Sequence, residues 1–166
     1  FLLGACSERT DQAREITITF VGINDIHGQL VATEERGSFV DLSAYVKALR
    51  AARAADGGAV VVLDAGDMWQ GTLASNLDEG ASMIKAYNAL GVAAAAIGNH
   101  EFDFGPVGSA AIPMEAGHDP RGALKQRARE AQFPLLAANL IDLATDEPVA
   151  WENVQPSVML DVDGIK

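Results

Sequence analysis

The chain has a single cysteine, Cys6, among 166 residues, so it has no cysteine pair to staple it and must rely on a packed core. Lys and Arg number 12 against 23 Asp and Glu, a formal charge of −11. With no cluster of basic residues to overcome it, that charge repels a phosphate backbone and excludes nucleic-acid polymers as natural partners. An acidic protein can still act on a small anion if divalent cations in its site supply local positive charge. No segment approaches the ~18 consecutive apolar residues needed to span a membrane.

What is present is the composition of a soluble α/β protein, 49% hydrophobic and 21% charged, of a length that suits one domain or part of one. The first residues, "FLLGACSERT", resemble the tail of a bacterial lipoprotein signal, with Leu3-Gly4-Ala5-Cys6 as the lipobox and Cys6 as the lipidated residue. The alternative is a free thiol in a disordered N-terminus. On the lipoprotein reading, residues 1–14 are signal remnant, lipobox and polar tether, and the domain begins at 15. The protein is then expected outside the cytoplasm, anchored in a bacterial cell envelope and touching the membrane only through the lipid on Cys6.

Apolar patterning predicts alternating strands and helices. "EITITFVGI" (15–23) reads as a strand stopping at Asn24-Asp25. Phe39, Leu42, Tyr45, Val46 and Leu49 recur at helical spacing, with Ser38 as N-cap and Gly57-Gly58 as the stop. "AVVVLDAGD" reads as a central strand covered on both faces, Gly80 to Leu90 as a helix ended by Gly91, and "VAAAAI" as a third strand. A Gly- and Pro-rich stretch, 104–122, is an insertion loop that either lines the site or moves. "GALKQRAREAQ" reads as a helix, "PLLAANL" as a strand, and "SVMLDVDGIK" as the start of a further strand with an Asp-Gly turn. This order implies right-handed crossovers and a mainly parallel sheet, whose ligands gather beyond the carboxyl ends of the strands.

Three polar motifs stand at those ends. In "NDIHG", Asp25 and His27 are two apart and in extended backbone would share a face, a carboxylate and an imidazole suited to Zn, Mn or Fe. A capping Asp beside a solvent-facing His is the plainer account of that motif alone. In "GDMWQG", Asp67 follows a glycine that lets backbone approach an ion, and its two oxygens suit a bridge between metals; a turn or N-cap role is the alternative. Trp69 suits packing, and Gln70 either supports a ligand or faces solvent. In "GNHEFD", Asn99 offers a neutral amide oxygen, while Asp103 lies one helical turn from His100 and can hold its imidazole. Glu101 points elsewhere and makes a structural salt bridge or hydrogen bond.

Together, Asp25-x-His27, Gly66-Asp67-x-x-Gln70-Gly71 and Gly98-Asn99-His100-Glu101-x-Asp103 resemble the first three signature blocks of the calcineurin-like metallophosphoesterases, and their spelling is most similar to the 5′-nucleotidase branch. The resemblance covers roughly residues 16 to 140. It implies a four-layer α/β/β/α sandwich, incomplete at the C-terminus of this chain, and two divalent metal ions drawn from Zn, Mn, Mg, Fe or Ca. It also implies that Asp25 and His27 hold the first ion, Asp67 bridges, Asn99 holds the second, and His100 with Asp103 forms the catalytic dyad. The expected substrate is a small phosphorylated molecule, a nucleotide, hydrolysed by a metal-activated water. Family members add later histidine ligands and a C-terminal nucleoside-gripping domain that these residues lack, and His118 has the wrong context to replace them. The segment alone is therefore expected to bind metal weakly and hydrolyse little. The same early motifs serve 2′,3′-cyclic nucleotide phosphodiesterases, nucleotide-sugar hydrolases and sulfate-ester-type hydrolases. A non-catalytic surface lipoprotein on the same scaffold is the alternative of a different class.

Overall fold

A computed structural model describes residues 15–108 and 112–166. Cys6, the lipobox and the tether lie outside the described residues. Among the described residues there are four α-helices and seven short strands: β1 (Ile18–Ile23), α1 (Phe39–Asp56), β2 (Ala59–Asp64), α2 (Leu73–Asn76), α3 (Ala81–Leu90), β3 (Ala94–Ala96), α4 (Gly122–Glu130), β4 (Leu135–Leu136), β5 (Ile141–Asp142), β6 (Glu147–Pro148) and β7 (Val154–Gln155).

The strands β1-β2-β3-β4-β7 form one parallel sheet in sequence order, and β5-β6 form a separate antiparallel pair. Crossovers of one hand that always step in one direction place every helix on the same face. The core shows this, since Val46 of α1, Met83, Ile84 and Tyr87 of α3, and Leu124 and Ala128 of α4 join Val62, Ala95 and Leu135 of the sheet in one apolar cluster. On the opposite face Phe20 is 67% exposed. The expectation of a mixed α/β fold on a parallel sheet holds. Among the described residues there is one such sheet, and the four-layer sandwich requires a second on the face that displays Phe20.

Local chemistry explains the boundaries. Ser38 and Asp41 form a reciprocal capping box at the start of α1, and Gly57 ends that helix with φ 74°, a left-handed cap that glycine adopts without Cβ strain. One expectation is corrected. Residues 157–166 form no sheet strand; the Asp163-Gly164 turn is closed by a bridge between Val162 and Ile165. The fifth sheet strand is instead β7, placed beside β4 by the pairs Leu135↔Val154 and Leu136↔Gln155.

Candidate metal centre

Because the sheet is parallel, the loops 24–28, 65–71 and 97–103 leave it at one rim, after β1, β2 and β3. The first two stay paired beyond the strands: Asp25 N–H donates to Gly66 at 3.0 Å, His27 N–H to Asp67 at 2.9 Å, and Gly28 N–H to Met68 at 2.9 Å. Asp25, His27 and Asp67 adopt φ values of 51°, 50° and 59°, the left-handed region that costs most non-glycine residues roughly 1–2 kcal/mol and that Asp and His tolerate better than most. The expectation that extended backbone brings Asp25 and His27 together is thus corrected. They meet across left-handed turns, with Asp25 Oδ1 3.7 Å from His27 Nε2.

The third loop is locked to the second by Glu101, whose expected structural hydrogen bonding takes this form. Glu101 is fully buried, and its carboxylate accepts from Asp67 N–H at 2.9 Å, Met68 N–H at 2.7 Å and Gly98 N–H at 2.7 Å. Burial pushes its pKa up, and the three backbone bonds oppose that shift. Gly98 is dictated by close approach, since a Cβ there would collide with the Asp67 carboxylate and lie 2.7 Å from the Asp67 nitrogen. A threonine completes the clamp from the other side, where Thr72 Oγ1 donates to the Gly28 carbonyl at 2.5 Å.

These constraints aim the side chains at one volume. His27, Asp67 and His100 each present a ligand atom within 4.8 Å of the others, and the two imidazole rings meet edge-on with centroids 5.0 Å apart. His27 Nδ1 lies 2.9 Å from the Gln70 carbonyl; a carbonyl only accepts, so Nδ1 carries the hydrogen and Nε2 keeps its lone pair for a metal. It is thus the backbone of Gln70 that orients the histidine. Trp69 is buried packing, as expected.

His100 and Asp103 span a short 3-10 turn, His100–Phe102, with Nδ1 2.6 Å from Asp103 Oδ2. The hydrogen bond to Asp103 raises the imidazole pKa, against a smaller opposing effect of burial. Asp67 Oδ1 also accepts from His100 N–H at 3.0 Å, which fixes that oxygen relative to the dyad. Asn99 sits on the same loop, exposed to solvent. His118 stays in its own turn, accepting from Met114 N–H at 3.4 Å. Phe104 and Val107, from the long loop after the dyad, share a cleft with Asp103 and Leu77.

Behind the loops, Asp64 is buried and accepts from Tyr87 Oη at 2.7 Å and Gly66 N–H at 2.6 Å. Burial pushes its pKa up from 3.8 to about 6, against both hydrogen bonds. In metal-free protein the protonated form therefore favours folding, a contribution fully present below about pH 4 and lost as pH rises through about 6. Removing the donor leaves a buried carboxylate short of a partner. Tyr87→Phe is expected to cost about 1.5–3 kcal/mol, with the larger loss above pH 6, measured by urea unfolding of metal-free protein at pH 5 and pH 8.

The donor set, imidazole nitrogen beside carboxylate oxygens on preorganised turns, fits a first-row divalent ion. Comparison with known proteins agrees: the family model described as calcineurin-like phosphoesterase matches residues 18–145. The chain belongs to the calcineurin-like phosphoesterase family. It is 30% identical to a 5′-nucleotidase of Diplobatis ommata over an alignment of 167 positions that covers 97% of this chain and 26% of that protein. It is 33% identical to the protein UshA of Escherichia coli, covering 82% of this chain and 22% of that protein. Among solved structures, a 5′-nucleotidase precursor from Thermus thermophilus superposes with a TM-score of 0.65 at 30% identity, covering 89% of this chain and 26% of that one. The chain thus spans about a quarter of the length of these relatives.

Proposed function

We propose that this phosphoesterase chain carries the metal-binding and proton-donating part of a hydrolase acting on nucleotides, of the 5′-nucleotidase type. The observation that carries the reading is the convergence of His27, Asp67 and His100 on one volume, with His100 also bonded to Asp103. Asp25, His27, Asp67 and Asn99 would hold two divalent ions, which supply charge neutralisation for the phosphoryl oxygens and a more acidic water as nucleophile.

The residues themselves then have distinct tasks. Asp67 would help to hold the ions, and its Oδ1 is oriented by the His100 N–H. Asn99 adds a ligand without adding negative charge. As water's oxygen bonds to phosphorus and the ester P–O bond breaks, the leaving oxygen needs a proton. His100 gives it from Nε2, because Nδ1 is committed to Asp103. The relatives named as 5′-nucleotidases support a nucleotide substrate. The lipobox-like Leu3-Gly4-Ala5-Cys6 supports a lipid-anchored enzyme facing the outside of the cytoplasm.

The test is phosphate release by full-length protein from AMP and from 2′,3′-cyclic AMP, with and without chelator. The reading expects AMP hydrolysis that chelator abolishes and Mn²⁺ or Zn²⁺ restores. Hydrolysis indifferent to chelator overturns it, and hydrolysis of the cyclic diester alone reassigns the substrate.

A further inference from the structure

The loop that follows the first motif holds an arginine beside the metal centre. Residues 30–39 leave and return to one point, because Phe39 N–H donates to the Leu30 carbonyl at 3.3 Å and Phe39 is buried. Within that loop Thr33 and Arg36 close a turn on each other: Thr33 N–H donates to the Arg36 carbonyl at 2.9 Å, and Arg36 N–H donates to Thr33 Oγ1 at 3.1 Å. The main chain of Arg36 is thereby fixed while the residue stays exposed.

Arg36 borders two clefts, one reaching Asp25 and the other reaching His27. Their volumes, about 370 Å³ and 520 Å³, are ample for a phosphoryl group. Arg36 is the only Lys or Arg among the described residues that lines either cleft. Its polar neighbours there are already engaged. Asp41 accepts from Ser38 N–H and Ser38 Oγ, each at 2.8 Å, and the Gln29 amide donates to the Val31 carbonyl. The Arg36 guanidinium forms no salt bridge among the described residues. Its planar fork of donors matches two oxygens of one phosphoryl group, and its charge opposes the repulsion that Asp25 and Glu35 exert on an anion.

We propose that Arg36 binds the non-bridging oxygens of the substrate's phosphoryl group. The loop of Arg36 follows β1, at the edge of the sheet, whereas His100 stands beyond β3. A phosphoryl group between them turns its leaving oxygen to His100 and its non-bridging oxygens to Arg36. The residue therefore serves the anionic half that all phosphomonoesters share, and leaves recognition of the organic half to other parts of the protein. The proposal rests on the phosphoesterase reading above and adds a substrate-binding residue that lies in none of the three signature blocks.

The experiment compares wild-type, Arg36→Ala and Arg36→Lys full-length protein, loaded with Mn²⁺, on AMP and on methyl phosphate. In Arg36→Ala, kcat/KM is expected to fall by about 10–100-fold, by the same factor on both esters. Arg36→Lys keeps the charge without the fork and should recover part of the loss. A second readout is independent of hydrolysis: calorimetric titration with inorganic phosphate should show affinity falling in the same order, with bound metal and the urea midpoint unchanged. No loss on either ester, a loss on AMP alone, or loss of metal from Arg36→Ala overturns the proposal. So does phosphate binding that is equal in wild type and Arg36→Ala, or absent from wild type. Failure of metal-loaded wild type to hydrolyse either ester would count against the phosphoesterase reading, while the phosphate titration still decides the role of Arg36.

Discussion

Replacing His100 with alanine in the full-length protein is expected to lower kcat for a nucleoside monophosphate by about 10²–10⁴-fold, with bound metal unchanged. Both halves of that expectation matter, because His100 stands within 4.8 Å of His27 and Asp67 and so is placed to act either as a ligand or as a proton donor. The short bond from Nδ1 to Asp103 raises the imidazole pKa, and a proton held more firmly suits an acid better than a metal ligand. A ligand role predicts that His100→Ala loses metal along with activity. A proton-donor role predicts a protein that retains its ions, measured by inductively coupled plasma mass spectrometry, and loses the reaction. Asp103→Asn should fall between wild type and His100→Ala, since the imidazole remains but its proton is held less firmly.

The second large effect is on assembly of the site. Glu101→Ala would leave the N–H groups of Asp67, Met68 and Gly98 without their acceptor, in positions that are buried or nearly so. Each buried donor left unsatisfied costs about 1–3 kcal/mol, so a loss of at least about 3 kcal/mol is expected, enough to consume a large part of a typical domain's stability. Glu101→Gln separates charge from geometry. One oxygen can still serve Asp67 and Gly98, while the amide NH₂ must face the Met68 N–H. Its cost should therefore be real and smaller. Urea midpoints of the two variants, measured without metal, check the order, and a Glu101→Ala variant as stable as wild type would remove Glu101 from this role.

Much of this was readable in the chain because the signals were local. The α1 boundaries follow from Ser38, Asp41 and Gly57, all within a turn of the helix ends, and the parallel sheet follows from apolar runs alternating with helical spacing. The site could be assembled on paper because each motif ends a strand, and topology alone brings such ends together. What escaped was whatever depended on partners far along the sequence. Glu101 reads as a structural hydrogen-bonding or salt-bridging acid, but nothing local shows that its donors are backbone N–H groups 33 and 34 residues away. β7 comprises only Val154 and Gln155, too short for any alternation to announce it, and it is a strand only because β4 pairs with it. The left-handed turns at Asp25 and His27 were also hidden, because both residues are compatible with extended and left-handed backbone. The two side chains do approach each other, but on left-handed and not extended backbone.

Anomalous diffraction from Mn²⁺-loaded crystals of the full-length protein tests the central claim most directly. Two peaks are expected, one at about 2.0–2.3 Å from ligand atoms of Asp25 and His27, one at that distance from Asn99, and both within reach of the Asp67 carboxylate. A metal bound elsewhere, or no peak beside Asp67, would contradict the account.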